Sequence, residues 1–312
     1  MEPVGQFELP VVHGRGDPHA TALPQRHGRP GSRPRRRPRL ACGDGIAHAV
    51  GMSGRTAYRT NRSRDGGLTV VGHVRAPRGA DGAVVLVHGV GSSARAYDKL
   101  ADHLVAHYAV HAVDLPGFGA APHLRRDVTI PEHAAAVARY MREHVLDAGL
   151  PAPVVVGHSM GAQVVGQLLA DHPDAASAGV LVGPTADPGA RTIPRQAVRL
   201  AVDAVGEPPR TIGVLLVDAL VRCSVPYYLG QLRHVVEHRL EDVLPRSTVP
   251  VVVIRGERDA VASPRFVELL AAAAPSGQHR TVRGRHHAMD ADPEGVADIV
   301  LEAWRAAGRG IG

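Results

Sequence analysis

Pro153-Val154-Val155-Val156-Gly157-His158-Ser159-Met160-Gly161 sets a short β-branched run directly against a G-x-S-x-G junction. A run of this kind, closed by glycine, reads as a buried strand. The residues that follow, Ala162 to Ala170, carry apolar positions at helical spacing until Pro173 ends the pattern. Strand, tight turn and helix therefore follow one another with Ser159 at the turn. Such an elbow is sharp and strained, and a side chain at either flanking glycine would collide with neighbouring backbone. Its effect is to present the serine hydroxyl at the end of a sheet, where it can act as a nucleophile.

A nucleophilic serine needs a base, an acid to orient that base, and donors for an oxyanion. The run Val249 to Ile254 reads as another buried strand and leads into Arg255-Gly256-Glu257-Arg258-Asp259, which puts Asp259 in the loop after it. Arg280 to Gly284 reads as a shorter strand leading to Arg285-His286-His287. The chain order Ser159, Asp259, His286 is one in which this chemistry is known to be laid out. Two rivals stand beside these residues. His287 is the alternative base, and Asp187, after the strand-like Val180-Leu181-Val182, is the alternative acid.

In these segments the chain resembles the α/β-hydrolase superfamily, over about residues 68–306. The resemblance also rests on His88-Gly89-Val90-Gly91-Ser92-Ser93 after Ala83 to Val87, on Asp114-Leu115-Pro116-Gly117-Phe118-Gly119 after Val110 to Val113, and on the stretch from His286 to Pro293. Family members of this type commonly place a proline seven residues after the catalytic histidine and a methionine three after it. Met289 and Pro293 meet both spacings from His286. Arg285 stands where a glycine often precedes the family's histidine, a departure from the pattern. The fold implied is a mostly parallel α/β-hydrolase sheet with helices on both faces and an inserted helical cap.

What the resemblance implies for chemistry is acyl transfer to water. His286 would take the Ser159 proton, Asp259 would hold the imidazole tautomer, and an acyl-enzyme would then be hydrolysed. The backbone N–H groups of Val90 and Met160 would stabilise the oxyanion, with His88 and Gly89 beside the substrate. Asp114 reads as a turn-stabilising acceptor and His158 as a packed core histidine. The expected substrate is a small or medium carboxylic ester or lactone. Thioester hydrolysis, perhydrolysis and C–C bond hydrolysis would use the same triad. A hydrolase-fold ligand-binding protein is the non-enzymatic alternative. No cofactor is expected. The chain has 19 histidines, but no H-E-x-x-H or paired short His/Cys spacing occurs and no metal site is expected.

The 312 residues and 44 % apolar content suffice for one large α/β domain with an insertion. The division expected is a tail over residues 1–51, a core over 52–184 and 248–312, and a cap over 185–247. In the cap region helical patterns replace the strand–helix rhythm, over Ile193 to Val205, Thr211 to Cys223 and Tyr227 to Leu244, with prolines near their bounds. Tyr227 and Tyr228 are its candidate substrate donors. The tail holds eight arginines, with Pro34-Arg35-Arg36-Arg37-Pro38-Arg39 at its centre, and most of the formal net charge of +6 lies there. Its Gly, Pro and Arg content without apolar periodicity predicts disorder, and nucleic acid is not favoured as a partner. No apolar run approaches a membrane span. Cys42 and Cys223, in different parts of the chain, do not suggest a disulfide framework. A cytoplasmic enzyme is expected.

Overall fold

Three strands follow one another from residue 56, and from Ala83 onward strands alternate with helices, as the rhythm of apolar runs predicts. The computed structural model describes residues 56–207, 213, 217–218 and 223–308. The strands are β1 (Thr56–Asp65), β2 (Leu68–Pro77), β3 (Ala83–Val87), β4 (Ala109–Asp114), β5 (Val154–His158), β6 (Ala178–Val182), β7 (Val251–Gly256) and β8 (Gly277–Val282). They form one sheet in the order β1-β2-β4-β3-β5-β6-β7-β8. The β1–β2 and β2–β4 pairings are antiparallel, and every pairing from β4 through to β8 is parallel.

Parallel central strands are covered on both faces, which explains their unbroken apolar runs. Alternation along each strand then divides the core in two. Val85, Val87 and Val155 pack with α2 (Ile130–Met141), α3 (Met160–Asp171) and α7 (Pro264–Ala273). Val84, Leu86, Val154 and Val156 face the other way, onto α1 (Asp98–Leu104) and α9 (Pro293–Gly308). Burying each such valine or leucine is worth ~1.5–3 kcal/mol relative to exposure. With few large aromatics in the chain, these branched residues carry most of the packing.

Helices also fill the connection from β6 to β7. α4 spans Ile193–Ala204, close to the expected bounds. The pattern over Tyr227 to Leu244 is one helix by periodicity but two in space, α5 (Val225–Glu237) and α6 (Leu240–Val243). The break has a cause outside the segment. Gln163 of α3 donates its side-chain N–H to the Val235 carbonyl at 2.9 Å, His238 turns extended, and Leu240 drops into the space over Gly166, where an added Cβ would lie 2.3 Å from its Cδ1. Most of the expected helix over Thr211 to Cys223, like the expected tail, lies outside the described residues.

β8 begins earlier than the sequence suggested. It pairs with β7 from Val251↔Gly277 to Gly256↔Val282, and most of its residues are exposed because it is the sheet edge. Gly-Gln-His-Arg-Thr-Val accordingly has no apolar signal of its own. The last short helix of the β8–α9 connection is α8 (Ala288–Ala291). Among the described residues no helix is long and apolar enough to cross a membrane.

Candidate active site

β5 ends at His158 and α3 begins at Met160, so Ser159 alone makes the turn, at φ 55° and ψ −119°. A non-glycine residue at positive φ is strained and persists only when its surroundings fix it. Here they do. A Cβ on Gly157 would lie 2.2 Å from the Gly161 carbonyl oxygen, and one on Gly161 would lie 2.1 Å from that of Val87. The Ser159 N–H donates to the Val182 carbonyl at 3.0 Å, tying the turn to the end of β6. The loop after β3 presses on the serine from the other side, since a Cβ on Gly89 would be 2.9 Å from the Ser159 Cβ.

The loops after β7 and β8 meet beside this elbow. His286 Nδ1 lies 3.3 Å from Asp259 Oδ2, both side chains being buried. The other carboxylate oxygen accepts the N–H groups of Val261 and Ala262 at 2.7 and 2.9 Å. A carboxylate opposite Nδ1 puts the proton on that nitrogen and leaves Nε2 as a lone pair. Nε2 is buried with no hydrogen-bond partner, and His286 and Ser159 line one cavity. Burial alone would lower the His286 pKa, but the Asp259 charge and hydrogen bond, aided by Asp203 and Glu207, turn the net shift upward. Burial likewise opposes charge on Asp259, and the His286 charge with the two backbone donors outweighs it, leaving its pKa lowered.

The rival residues are held elsewhere. Asp187 accepts the Gly189 N–H at 2.8 Å and pairs with Arg199 at 2.8 Å, so its carboxylate belongs to the start of the insertion. His287 directs Nδ1 to Glu207 Oε1 at 3.4 Å, and the same oxygen accepts the His287 N–H at 3.1 Å. His158 donates from Nε2 to the His286 carbonyl at 3.1 Å and packs at 4.8 Å from both neighbouring imidazoles. Its burial, then the positive charge those rings can carry, drives its pKa well down, which keeps it neutral.

Two of the residues expected beside the substrate are not there. His88 sits behind the loop, its Nε2 accepting the Leu115 N–H at 3.1 Å while Nδ1 donates to the Gly89 carbonyl at 2.7 Å. With both ring nitrogens engaged it locks the loop that carries Gly89 and Val90. Asp114 braces the same region by accepting from Ala94 N and Ala120 N, each at 2.8 Å. Tyr227 is buried with its hydroxyl donating to the Pro116 carbonyl at 2.7 Å, which anchors α5 to the Asp114 loop instead of facing the cavity. Gly89, Val90 and Tyr228 do line the cavity. Met160 opens α3, where the first N–H groups have no intrahelical acceptor.

The cavity measures about 450 Å³, and its walls from the insertion are chiefly apolar, with Ile193, Leu200, Leu232 and Val236 among them. Asp203 and Glu207 also line it, and sequence reasoning missed both. They lie some eighty residues from the histidines they touch, so the one available signal was two acids at i, i+4 spacing at the end of a predicted helix. Asp203 Oδ2 accepts the His286 N–H at 3.1 Å and Oδ1 accepts the Ala260 N–H at 3.0 Å. Burial raises the Asp203 pKa. Glu207 is net lowered because the His287 contacts outweigh its burial, and the two acids share a side-chain hydrogen bond. Donor atoms of Asp203, Glu207 and His287 lie within 4.8 Å of one another.

A model of the alpha/beta hydrolase family matches residues 84–299. A pimeloyl-[acyl-carrier protein] methyl ester esterase from Neisseria meningitidis is 30% identical over 228 residues, which is 64% of this chain and 81% of that protein. Solved structures with a similar fold include the enol-lactonase from Burkholderia xenovorans, with TM-score 0.67, 19% identity and coverage of 78% of this chain and 100% of that one. Another is a thermophilic esterase from Thermogutta terrifontis, with TM-score 0.65, 20% identity and coverage of 81% and 99%. At those identities the structural likeness speaks for the fold alone. The family match, which spans more than half of the sequence, and the architecture agree: the chain belongs to the alpha/beta hydrolase family.

Proposed function

We propose that this hydrolase is a serine esterase or lactonase, cleaving a small or medium carboxylic ester through an acyl-enzyme on Ser159. The observation that carries the reading is the pairing of His286 with Asp259 through Nδ1 while its unpartnered Nε2 shares a cavity with a strained Ser159. In this mechanism His286 Nε2 takes the hydroxyl proton as Oγ attacks the carbonyl carbon. The oxyanion forms against the Val90 and Met160 N–H groups. Collapse of the tetrahedral species expels the alcohol, protonated by the imidazolium, and a water activated by His286 then releases the acid. Asp259 stays ionised throughout and stabilises the imidazolium.

The cavity volume falls within the range that encloses small ligands, and its apolar walls suit an uncharged hydrocarbon portion of the ester. The relative at 30% identity named above is a methyl ester esterase, which supports oxygen-ester chemistry over thioester or C–C cleavage. The experiment is a panel of p-nitrophenyl esters of increasing acyl length with wild type and Ser159→Ala. Turnover is expected in wild type, and Ser159→Ala is expected to fall to the residual ~10³–10⁴ over water that an oxyanion hole alone sustains. Equal turnover in the two proteins would remove Ser159 from the reaction.

A further inference from the structure

We propose that Asp203, on the inserted helix α4, is a positioning residue for His286, fastening the base loop and the acid loop to the insertion that covers the cavity. The proposal rests on the serine-hydrolase reading above and concerns how the base is held. Each oxygen of the Asp203 carboxylate is committed to a different loop. Oδ2 accepts the backbone N–H of His286 at 3.1 Å, and Oδ1 accepts that of Ala260, next to Asp259, at 3.0 Å. One side chain therefore spans the two segments whose register sets the 3.3 Å contact between His286 Nδ1 and Asp259 Oδ2.

The base gains from such a tether because, apart from the His158 bond to its carbonyl at 3.1 Å, its peptide is not tied down by regular structure. Arg285-His286-His287 lies beyond the end of β8 and before α8, after Gly284 at φ 107°, so the His286 peptide is held by neither ladder nor helix. Glu207 repeats the arrangement on the next residue. It lies four residues past Asp203, and its Oε1 accepts the His287 N–H at 3.1 Å. Two successive amides of the histidine loop are thus bound by carboxylates at the C-terminal end of α4. A helix that only roofed the cavity would need no carboxylates turned inward onto the catalytic loops.

The same placement gives the tether an electrostatic readout. His286 faces the negative groups Asp259 from the loop after β7, Asp203 from α4 and Glu207 from the turn just past α4, and the imidazoles His158 from the end of β5 and His287 on its own loop. Loss of the Asp203 charge removes part of what holds the imidazolium. The acid limb of the pH–rate profile, which reports protonation of the base, must then move to lower pH.

The experiment compares full-length wild type, Asp203→Asn and Glu241→Gln on one p-nitrophenyl ester, with folding checked by thermal melting and the serine by a fluorophosphonate probe. Asparagine offers one acceptor where two N–H donors converge, and its NH₂ must face the other. Asp203→Asn is expected to lower kcat ~10²-fold, the scale of a misplaced catalytic group, with KM little changed and the acid limb of kcat/KM shifted to lower pH. Glu241→Gln, which removes the charge paired with Arg191 within the insertion, is expected to match wild type. If Asp203→Asn does not fold, Asp203→Ala, which leaves no opposing NH₂, carries the same expectation. A folded Asp203 variant with unchanged kcat, or with a raised KM and an unmoved acid limb, overturns the proposal. So does wild-type activity abolished by a chelator and restored by a divalent cation, which would make Asp203, Glu207 and His287 a cation site. Wild type that neither turns over esters nor labels at Ser159 would defeat the serine-hydrolase reading first, and the proposal with it.

Discussion

His286 and His287 are adjacent in the chain yet are held by different acids, and that difference sets what each substitution should do. The His286 ring meets Asp259, and the His287 ring meets Glu207. Removing the base should cost nearly as much as removing the serine, since such residues act as a unit. His286→Ala is therefore expected to approach Ser159→Ala in kcat, whereas His287→Ala should stay within about tenfold of wild type. Steady-state kinetics on one ester decides it, and the reverse order of damage would transfer the base to His287. The acids divide in the same way. Asp259→Asn should lower kcat by ~10⁴, because the amide stabilises the wrong imidazole tautomer. Asp187→Asn breaks the pair with Arg199 and should leave kcat near wild type; a large loss there with little at Asp259 would contradict the assignment.

At the scale of elements, the insertion is footed on α3 through Leu240, which is buried over Gly166, and through Gln163 on the Val235 carbonyl. Leu240→Ala should lower the unfolding free energy by ~2–5 kcal/mol, as buried leucine truncations do. Urea denaturation measures it, and a wild-type midpoint would show that the foot carries no load. This junction also marks what the sequence could and could not reveal. β5, the elbow and α3 were legible because local rules agree there: a β-branched run, two glycines with no room for Cβ, and a helical period. Ile193–Ala204 was legible for the same reason. The break between α5 and α6 was not, since it is imposed by Gln163 and Gly166 of another helix. Nor were the ends of β8, an edge strand without an apolar pattern, or the duties of His88 and Tyr227, whose polar atoms are consumed by backbone groups far along the chain. Asp203 and Glu207 escaped notice because a contact across eighty residues leaves no local trace.

Over the whole molecule, both core faces among the described residues are built from β2 onward, with the described fold beginning at Thr56. A chain lacking residues 1–51 is accordingly expected to keep the fold and the esterase activity of the full chain. Purification of residues 52–312 followed by thermal melting and the ester assay tests this, and failure to fold would give the arginine-rich segment a structural role. The strained serine under the insertion is the residue expected to form the covalent intermediate. Its most direct measurement is intact-mass and peptide mass spectrometry after brief exposure to a fluorophosphonate or a slowly deacylating ester. One adduct per chain is expected, located on Ser159, absent from Ser159→Ala and strongly slowed in His286→Ala. An adduct on any other residue, or turnover of esters with no adduct at Ser159, would contradict it.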